Sequence, residues 1–315
     1  MTNELFDVVV VGGGPAGLSA AVALGRARRS VVVIDSGEPR NAPAHAVHNF
    51  LTRDGTSPAE LVRLGREEAA SYGATLVDAR AESVRRTDDG FAVTLSTGAV
   101  VGGRRLLVTT GLVDELPAID GLRDRWGIDV LHCPYCHGWE VRDRSIGVLA
   151  TGPRALHQAL MFRQWSPTIT LLLNDLSLPT ADELELLAAR GIDVVHGRVE
   201  RVVVEDDALV GVVLAGGAVR ALEALVVGAP VTVRAGLLLE LGLELTDHPM
   251  GMGQFVATDA TGATSLPGVW AAGNVADLAA QVITSAAAGL WAGARINADL
   301  TSADEDAALE AYRGA

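Results

Sequence analysis

The chain has 315 residues, of which 49% are hydrophobic and 20% are charged. This length predicts two domains of about 150 residues each, and the composition excludes a disordered chain. The net charge of −14 argues against nucleic acid or an anionic membrane as a partner.

The basic residues are all arginines, and their number is 25. The absence of lysine excludes a Walker A phosphate loop, a protein kinase and a Schiff-base enzyme. No apolar run reaches the ~18 residues that a membrane span requires, and the acidic segment Met1–Asp7 has no signal-peptide pattern. We therefore expect a cytoplasmic protein. A lone cysteine pair in such a chain, Cys133 and Cys136, is more often catalytic than structural.

A glycine turn follows the first β-branched run, Asp7–Val11, and precedes an alanine-rich helix predicted from Leu18. A second predicted strand, Ser30–Ile34, ends at Asp35. The acid follows the turn at about the 20-residue spacing of dinucleotide-binding units. The order strand, GxGxxG, helix, strand, acid therefore predicts a Rossmann-like site.

Each residue of this turn has a mechanical role. The first glycine allows a tight turn, the second lets a pyrophosphate approach the backbone, and the third lets the helix pack closely on the strand. The helix N-terminus faces the phosphates, and the acid accepts hydrogen bonds from ribose hydroxyls. The residues predicted for these roles are Gly12, Gly14, Pro15, Ala16, Gly17 and Asp35, with Ser36 beside the acid.

Two further regions of the chain have recognisable patterns. A hairpin strand, Phe91–Leu95, turns at Ser96–Gly98, and a strand over Leu106–Thr110 follows. Near the other end, Pro267–Val275 predicts a strand running into a glycine turn. A helix is expected to start near Gln281, and the tail, Ser302–Ala315, predicts a helix on the surface.

A second Rossmann-like unit is predicted near the middle of the chain. A strand, Ile146–Leu149, leads into the turn Ala150–Ala155, and a helix is expected to continue to Trp165. The next predicted strand, Ile169–Leu173, ends at Asn174-Asp175. The sequence therefore predicts two related nucleotide-binding units.

With these motifs, the chain resembles the low-molecular-weight thioredoxin reductases over nearly its whole length. The resemblance implies an α/β fold with two Rossmann-like dinucleotide-binding domains, the second inserted into the first. It implies an FAD domain at 1–115 and 246–315 and an inserted NAD(P)-binding-like domain at 116–245 that carries the CxxC. It also implies a homodimer.

FAD is the cofactor that the resemblance implies for the first turn. Further FAD contacts are implied at Arg40, Asn41, Asn49, Thr110, Gly111, Gly273, Asn274, Gln281 and Val282. The last two lie at the start of a helix that is expected to point at the flavin.

The redox pair Cys133-Pro134-Tyr135-Cys136 has the position that the family gives to its active-site disulfide. Two cysteines three residues apart form a local disulfide that exchanges with thiols. By the resemblance, Cys136 is the flavin-facing cysteine and Cys133 the exchange cysteine. A structural zinc site is the alternative, but no second CxxC or HxxxH motif is present.

Four positions depart from the thioredoxin reductase pattern. His137 follows the second cysteine where the family has Asp, and His132 precedes the first, so either imidazole is a candidate base. Ala150 replaces the first glycine of the second turn, and no arginine that would hold a 2′-phosphate follows that strand. Asn274 replaces an Asp. NAD(P)H binding is therefore expected to be weak or absent.

This combination resembles the FAD-dependent dithiol oxidases of natural-product pathways, which close disulfides in compounds such as gliotoxin and holomycin. It predicts oxidation of a small-molecule dithiol, with oxygen as the electron acceptor. A thioredoxin or low-molecular-weight disulfide reductase using NAD(P)H or a protein donor is the alternative. A non-catalytic flavin-binding redox sensor is a third hypothesis.

Overall fold

The computed structural model describes residues 5–177 and 179–314. The chain divides into two compact units. The first unit takes the residues up to 40, residues 58–113 and the residues from 231 onward, and the second takes residues 41–57 and 114–230. Met1–Glu4 of the predicted N-terminal segment and Ala315 of the predicted tail helix lie outside the described residues.

This division differs from the predicted domain boundaries at residues 41–57 and 231–245, and by two residues at 114–115. Residues 231–245 belong to the first unit, because Val233, Leu238 and Leu243 are buried in the same core as Val9. Residues 41–57 belong to the second unit, because their side chains bond to the segment that carries the cysteines. Neither assignment follows from the linear order of the motifs.

The elements before residue 115 alternate strands and helices and then form a meander. They are β1 (Leu5–Val11), α1 (Pro15–Arg26), β2 (Val31–Asp35), α2 (Pro58–Ser71), β3 (Thr75–Asp78), β4 (Ala81–Thr87), β5 (Gly90–Leu95), β6 (Val100–Val108) and β7 (Leu112–Asp114).

The elements between residues 115 and 230 begin with a single 3-10 turn at Arg123–Arg125. They continue as β8 (Val130–Leu131), α3 (Pro134–His137), β9 (Ile146–Leu149), α4 (Ala155–Phe162), β10 (Ile169–Leu172), α5 (Ala181–Ala189), β11 (Ile192–Val195), β12 (Val199–Glu205), β13 (Ala208–Leu214), β14 (Val219–Ala221) and β15 (Ala224–Val227).

The remaining elements return to the first unit and end in a long helix. They are β16 (Val231–Val233), α6 (Gly236–Glu240), β17 (Thr246–Asp247), β18 (Gln254–Phe255), β19 (Val269–Ala271), a 3-10 turn at Gly273–Val275, and α7 (Val282–Gly314).

The first unit is built on a seven-stranded sheet in the order β3-β2-β1-β6-β5-β4, with β19 also paired to β6. Strands β3, β2, β1, β6 and β19 run parallel, whereas β5 and β4 are antiparallel. Val8 to Val10 of β1 are fully buried. Val8 and Val10 pack with residues of α1 and α7, whereas Val9 packs in the cluster that includes Phe91 of β5. This is a Rossmann-like sheet.

The second unit has a five-stranded parallel sheet in the order β11-β10-β9-β15-β8 and a three-stranded antiparallel sheet, β12-β13-β14. Strand β9 lies centrally, and its register pairs Ile146 with Ile169 and with Ala224. The two Rossmann-like sheets confirm the predicted α/β fold class. The predicted helix to Trp165 ends earlier, since α4 stops at Phe162.

The predicted surface helix of the tail is confirmed for residues 302–314, and it continues the helix predicted near Gln281 as one element, since α7 runs without a break from Val282 to Gly314. No proline or terminating turn divides it. Asp304 on α7 accepts hydrogen bonds from Arg29 at 2.7 Å and from Arg104 at 2.5 Å. Arg104 also bonds to Asp7 at 3.0 Å, so α7 is held to β1 and β6. Among the described helices none is long and apolar enough to cross a membrane.

Candidate functional site

The first glycine turn connects β1 to α1 and has the geometry that the sequence predicts. Gly12 has φ +108°, and a Cβ there would overlap the carbonyl oxygen of Thr109. A Cβ at Gly17 would overlap the carbonyl oxygen of Gly12, so the helix approaches the strand as closely as its backbone allows. The Thr109 hydroxyl donates to the Gly12 carbonyl at 2.8 Å. Thr109 therefore stabilises the backbone of the turn at Gly12.

The space in front of this turn is open, and a carboxylate lies beside it. No heavy atom lies within 4 Å of a Cβ built on Gly14. The helix begins at Pro15, and no side chain caps its N-terminus. Asp35 accepts hydrogen bonds from the amide of Gly13 at 2.9 Å and from that of Gly37 at 3.3 Å. The arrangement leaves room at the helix N-terminus for an anionic group and places a carboxylate beside it.

The corresponding turn of the second unit is built differently. Ala150 is buried, and its φ is not in the left-handed region that Gly12 adopts. Helix α4 begins only at Ala155, so the residues after Gly152 form a non-helical turn instead of the first helical turn. The Thr151 hydroxyl donates to the Gly228 carbonyl at 2.8 Å, so this polar group of the turn is bonded to the protein itself.

The end of β10 also differs from the end of β2. By strand register the buried Leu173 takes the place of the acid. Asn174 follows it with φ +48° and accepts a hydrogen bond from the Val199 amide at 2.9 Å. Asp175 also has a positive φ, +67°. The side chain at this strand end therefore fixes the start of β12.

The cysteine pair lies on a single helical turn in the second unit. Cys133 is the residue before α3, and its carbonyl accepts from the amides of Cys136 at 3.3 Å and His137 at 3.2 Å. Both cysteines are half-buried. Tyr135 between them is 58% exposed, and its ring meets Trp165 edge-on at 5.8 Å. The turn therefore holds both cysteine backbones in one short, fixed segment.

His137 is the more unusual of the two predicted histidines. Both of its ring nitrogens are buried, and neither has a hydrogen-bond partner among the described residues. Burial lowers the pKa of His137 below its ordinary value, Glu140 opposes this, and His48 adds to it. The ring is therefore neutral near pH 7 and keeps one nitrogen able to accept a proton. His132, next to Cys133, is half-buried.

Residues 41–57 contribute a loop that contacts the cysteine segment. The side-chain amide of Asn49 donates to the Tyr135 carbonyl at 2.5 Å, and the Asn49 amide N–H donates to Asp54 at 3.0 Å. His48 Nδ1 lies 3.4 Å from Asp54, and its Nε2 lies 3.3 Å from Glu140. Asn49, predicted beside the flavin, thus has its amide group committed to the backbone between the cysteines.

The C-terminal glycine motif belongs to the first unit. The side-chain amide of Asn274 donates to the carbonyls of Asp277 at 3.0 Å and Ala280 at 2.9 Å. Gln281 immediately precedes α7, and its carbonyl accepts from the Ser285 amide at 2.8 Å. Val282 is the first residue of the helix. The Asn274 side chain therefore bonds to two carbonyls of the loop between Gly273 and α7.

The other predicted cofactor residues lie in two places. Thr110 donates to the Arg234 carbonyl at 2.6 Å, and Gly111 accepts from the Arg234 amide at 2.9 Å. Ser36 and Arg40 follow β2 in the first unit, whereas Asn41 begins the loop that belongs to the second unit. Asn41 and Asn49 thus belong to the second unit, whereas the remaining predicted cofactor residues belong to the first.

Three residues with evident roles were missed by sequence reasoning. Thr109 supports the first turn, and its only signal was its position before Thr110-Gly111. His48 and Glu140 contact each other although they lie far apart in the chain, and no spacing pattern predicts such a pair. The signal available for Glu140 was its position one helical turn after His137.

The chain matches the family of pyridine nucleotide-disulphide oxidoreductases over residues 6–293. It belongs to this family and is an oxidoreductase.

Among individual proteins, it is 32% identical to the thioredoxin reductase sirT of Leptosphaeria maculans, covering 96% of each chain. It is 39% identical to the thioredoxin reductase aclD of Aspergillus oryzae, but this match spans 55% of the chain and 58% of that protein. The crystal structure of HlmI superposes with a TM-score of 0.92 at 46% identity, covering 98% of this chain and 96% of that one.

FAD binding is implied by the family, and the first turn fits it. The open space at Gly14, the uncapped start of α1 and the Asp35 carboxylate are the features that a dinucleotide needs. FAD there would be held by this turn and by the carboxylate. In the part of the chain that the structure describes, no group of three or more His, Cys, Asp and Glu side chains is placed to hold a metal ion.

Proposed function

We propose that the protein is an FAD-dependent dithiol oxidase that forms an intramolecular disulfide in a small-molecule dithiol, with oxygen as the final electron acceptor. The proposal keeps Cys133 and Cys136 as the redox pair and His132 and His137 as candidate bases. Its cofactor residues are those of the first turn and the C-terminal motif.

The observation that carries the proposal is the contrast between the two nucleotide turns. The first has Gly12 at φ +108° and an acid that faces the turn. The second has a buried alanine, Ala150, at the position of Gly12 and a buried leucine, Leu173, at the position of the acid. A chain that keeps the FAD turn and the cysteine pair without a regular nicotinamide turn favours electron entry from a thiol substrate.

The chemistry balances as a thiol–disulfide exchange. A substrate thiolate attacks the Cys133 sulfur of the enzyme disulfide, which forms a mixed disulfide and releases Cys136 as thiolate. The second substrate thiol attacks the substrate sulfur of the mixed disulfide and releases Cys133, so the substrate leaves as a cyclic disulfide. The substrate has lost two electrons and two protons, and the cysteine pair has gained them. Bound FAD supplies the two-electron acceptor that restores the enzyme disulfide, and oxygen takes the electrons onward as hydrogen peroxide.

His137 suits the proton transfer of the first step. Its burial favours the neutral imidazole near pH 7, and a neutral imidazole accepts the proton of an approaching thiol. Both ring nitrogens lack a hydrogen-bond partner within the described residues, so neither is committed to another protein group. His132 is the second candidate, because it adjoins Cys133.

A disulfide reductase is the second candidate function. The names of the relatives sirT and aclD favour it, since both are called thioredoxin reductases. This function requires electrons from NAD(P)H at the second turn or from a protein donor. The expected homodimer and cytoplasmic location apply equally to either function and stay predictions.

An anaerobic titration of the purified holoenzyme separates the two functions. A small dithiol such as dithiothreitol, NADH and NADPH are added separately while the flavin absorbance is followed. Rapid bleaching by the dithiol, with colour restored by oxygen, is the expected result. Rapid bleaching by NADH or NADPH but not by the dithiol contradicts the oxidase and supports the reductase.

A further inference from the structure

Asn49 bonds to the backbone between the two cysteines. Its side-chain amide donates to the Tyr135 carbonyl at 2.5 Å. This carbonyl lies in the last turn of α3, where carbonyl groups have no partner within the helix. The same peptide group carries the Cys136 amide, which donates to the Cys133 carbonyl at 3.3 Å. The peptide before Cys136 is therefore bonded at both of its polar ends.

The loop that carries Asn49 is itself held in place. The Val47 amide donates to the Thr56 carbonyl at 2.8 Å, and the Gly55 amide donates to the Val47 carbonyl at 3.0 Å, so the two arms of the loop pair. The backbone N–H of Asn49 donates to Asp54 at 3.0 Å. Asn49 has φ +60°, a conformation that asparagine adopts more readily than most residues. The Asn49 amide is therefore presented from a fixed backbone.

We propose that Asn49 is a positioning residue for the redox pair: its amide fixes the peptide before Cys136 and thereby favours the disulfide between Cys133 and Cys136 over the dithiol. The proposal rests on the proposed function in taking these two cysteines as the redox pair. Asn49 itself transfers neither electrons nor protons. This role differs from the FAD contact that the sequence predicts at Asn49, because it acts on the cysteines through their backbone.

The bond acts on the equilibrium between the dithiol and the disulfide. Closing the disulfide orders the backbone of residues 133–136, and this costs less conformational entropy when that backbone is already held. The Asn49 bond restrains the dithiol state, so it favours closure. The net contribution of one hydrogen bond corresponds to roughly a fivefold change in an equilibrium constant. We therefore expect loss of the donor to make the disulfide roughly fivefold easier to reduce.

Three substitutions on this loop separate the hydrogen-bond donor from the backbone conformation. Asn49→Gly removes the side chain and accepts the positive φ. Asn49→Asp keeps the shape but has no donor at neutral pH. Thr52→Gly is the matched control, because Thr52 is exposed on the same loop and also has a positive φ, +72°. We expect both Asn49 variants to change the equilibrium and Thr52→Gly to behave as the wild type.

The measurement is the anaerobic equilibrium of the holoenzyme's cysteine pair with dithiothreitol, over a range of ratios of reduced to oxidised reagent. The reagent passes two electrons and two protons to the Cys133–Cys136 disulfide and leaves as its own cyclic disulfide. Acid quenching, alkylation and mass spectrometry then count the reduced cysteines. We expect the pair in both Asn49 variants to be half reduced at about one fifth of the wild-type ratio.

A wild-type ratio in either Asn49 variant, or an equal shift in Thr52→Gly, overturns the proposal. Should Asn49→Gly fold poorly, Asn49→Asp alone decides. A lower ratio of flavin to protein absorbance in the Asn49 variants, with an unchanged equilibrium of the cysteine pair, assigns Asn49 to the cofactor alone and also overturns the proposal.

The proposed function is tested separately in the same samples. If dithiothreitol does not bleach the wild-type flavin, or if oxygen does not restore its colour, the oxidase function fails. The count of reduced cysteines still tests the Asn49 bond in that case, because it follows the cysteine pair and needs no turnover.

Discussion

The side-chain oxygen of Asn174 accepts a hydrogen bond from the Val199 amide at 2.9 Å, one residue beyond Leu173, which by strand register holds the position of Asp35. In the first unit the Asp35 carboxylate faces the glycine turn through the Gly13 amide. In the second unit the buried Leu173 offers no polar group at this position, and the asparagine after it is committed to the start of β12. The two Rossmann-like sheets thus share a topology but differ at the residue that contacts a ribose in dinucleotide sites.

Restoring the first glycine of the second turn should not restore reduction by nicotinamide. In Ala150→Gly the turn gains conformational freedom, but Asn174 remains bonded and α4 still begins at Ala155. We expect NADH and NADPH to bleach the flavin of this variant as slowly as that of the wild type, measured by anaerobic stopped flow. Rapid bleaching would mean that Ala150 alone disables the site.

Substitutions at two glycines of the first turn should differ in their effects on stability and on FAD binding. Gly12→Ala strains a positive φ and overlaps the Thr109 carbonyl, so we expect a loss of about 1–3 kcal/mol in the free energy of unfolding. Gly14→Ala meets open space, so the apoprotein should unfold like the wild type but retain less FAD. Urea unfolding of both apoproteins and the ratio of flavin to protein absorbance check this, and equal loss of stability in both variants contradicts it.

Replacing Asn274 with Asp, the residue that the thioredoxin reductase pattern has at this position, should destabilise the protein. The Asn274 side-chain amide donates to two carbonyls, and a carboxylate would face both oxygens without a proton to give. We expect Asn274→Asp to lose about 1–3 kcal/mol of unfolding free energy. Asn274→Ala is the control, since it removes the donors without adding charge and should lose less. If the aspartate variant is at least as stable as the alanine variant, this explanation is wrong.

His137 should make the protein less stable in mild acid. Its pKa is lowered in the folded state, chiefly by burial, so the unfolded state binds more protons below its ordinary pKa of about 6.5. The stability that the neutral ring gives is present above that pH and lost as the pH falls through the lowered folded-state pKa. We expect His137→Gln to show a shallower decline in unfolding free energy between about pH 7 and 5 than the wild type. His157→Gln, exposed on α4, should follow the wild-type curve.

The two cysteines should be distinguishable by trapping. Cys136→Ser leaves Cys133 unable to form the intramolecular disulfide, so a disulfide-bearing probe should form a stable adduct at Cys133 that mass spectrometry detects. Cys133→Ser should form much less of it, because the other cysteine is assigned to the flavin side. Dithiol oxidation should be abolished in both. Adducts mainly at Cys136 would reverse the assigned roles.

The local elements of the site were predictable where the residue types leave little choice. Gly12 must adopt a positive φ and Gly17 must approach a carbonyl, so the first turn follows from glycine spacing alone. The strand ends at Asp35 and Asn174 were predictable because β-branched and leucine runs stop there. Such features depend on residues near one another in the chain.

The features that were missed depend on long-range contacts. His48 meets Glu140 because the chain leaves the first unit after residue 40 and returns at 58, which no periodicity reveals. The helix near Gln281 and the surface helix of the tail were predicted at two places, and no local pattern joined them into the single helix α7. The ion pairs of Asp304 with Arg29 and Arg104 are long-range contacts made by this helix.

The division of the first unit among three chain segments has a consequence for the order of synthesis. Strand β19 completes the sheet beside β6, and α7 packs on α1, where Gly289 approaches the carbonyl of Ala16. A ribosome therefore delivers the second unit's parallel sheet, residues 130–227, before the elements that complete the first. Until α7 emerges, the apolar face of α1 that packs on it has no cover, so the growing chain exposes this surface while residues 231–281 are being made.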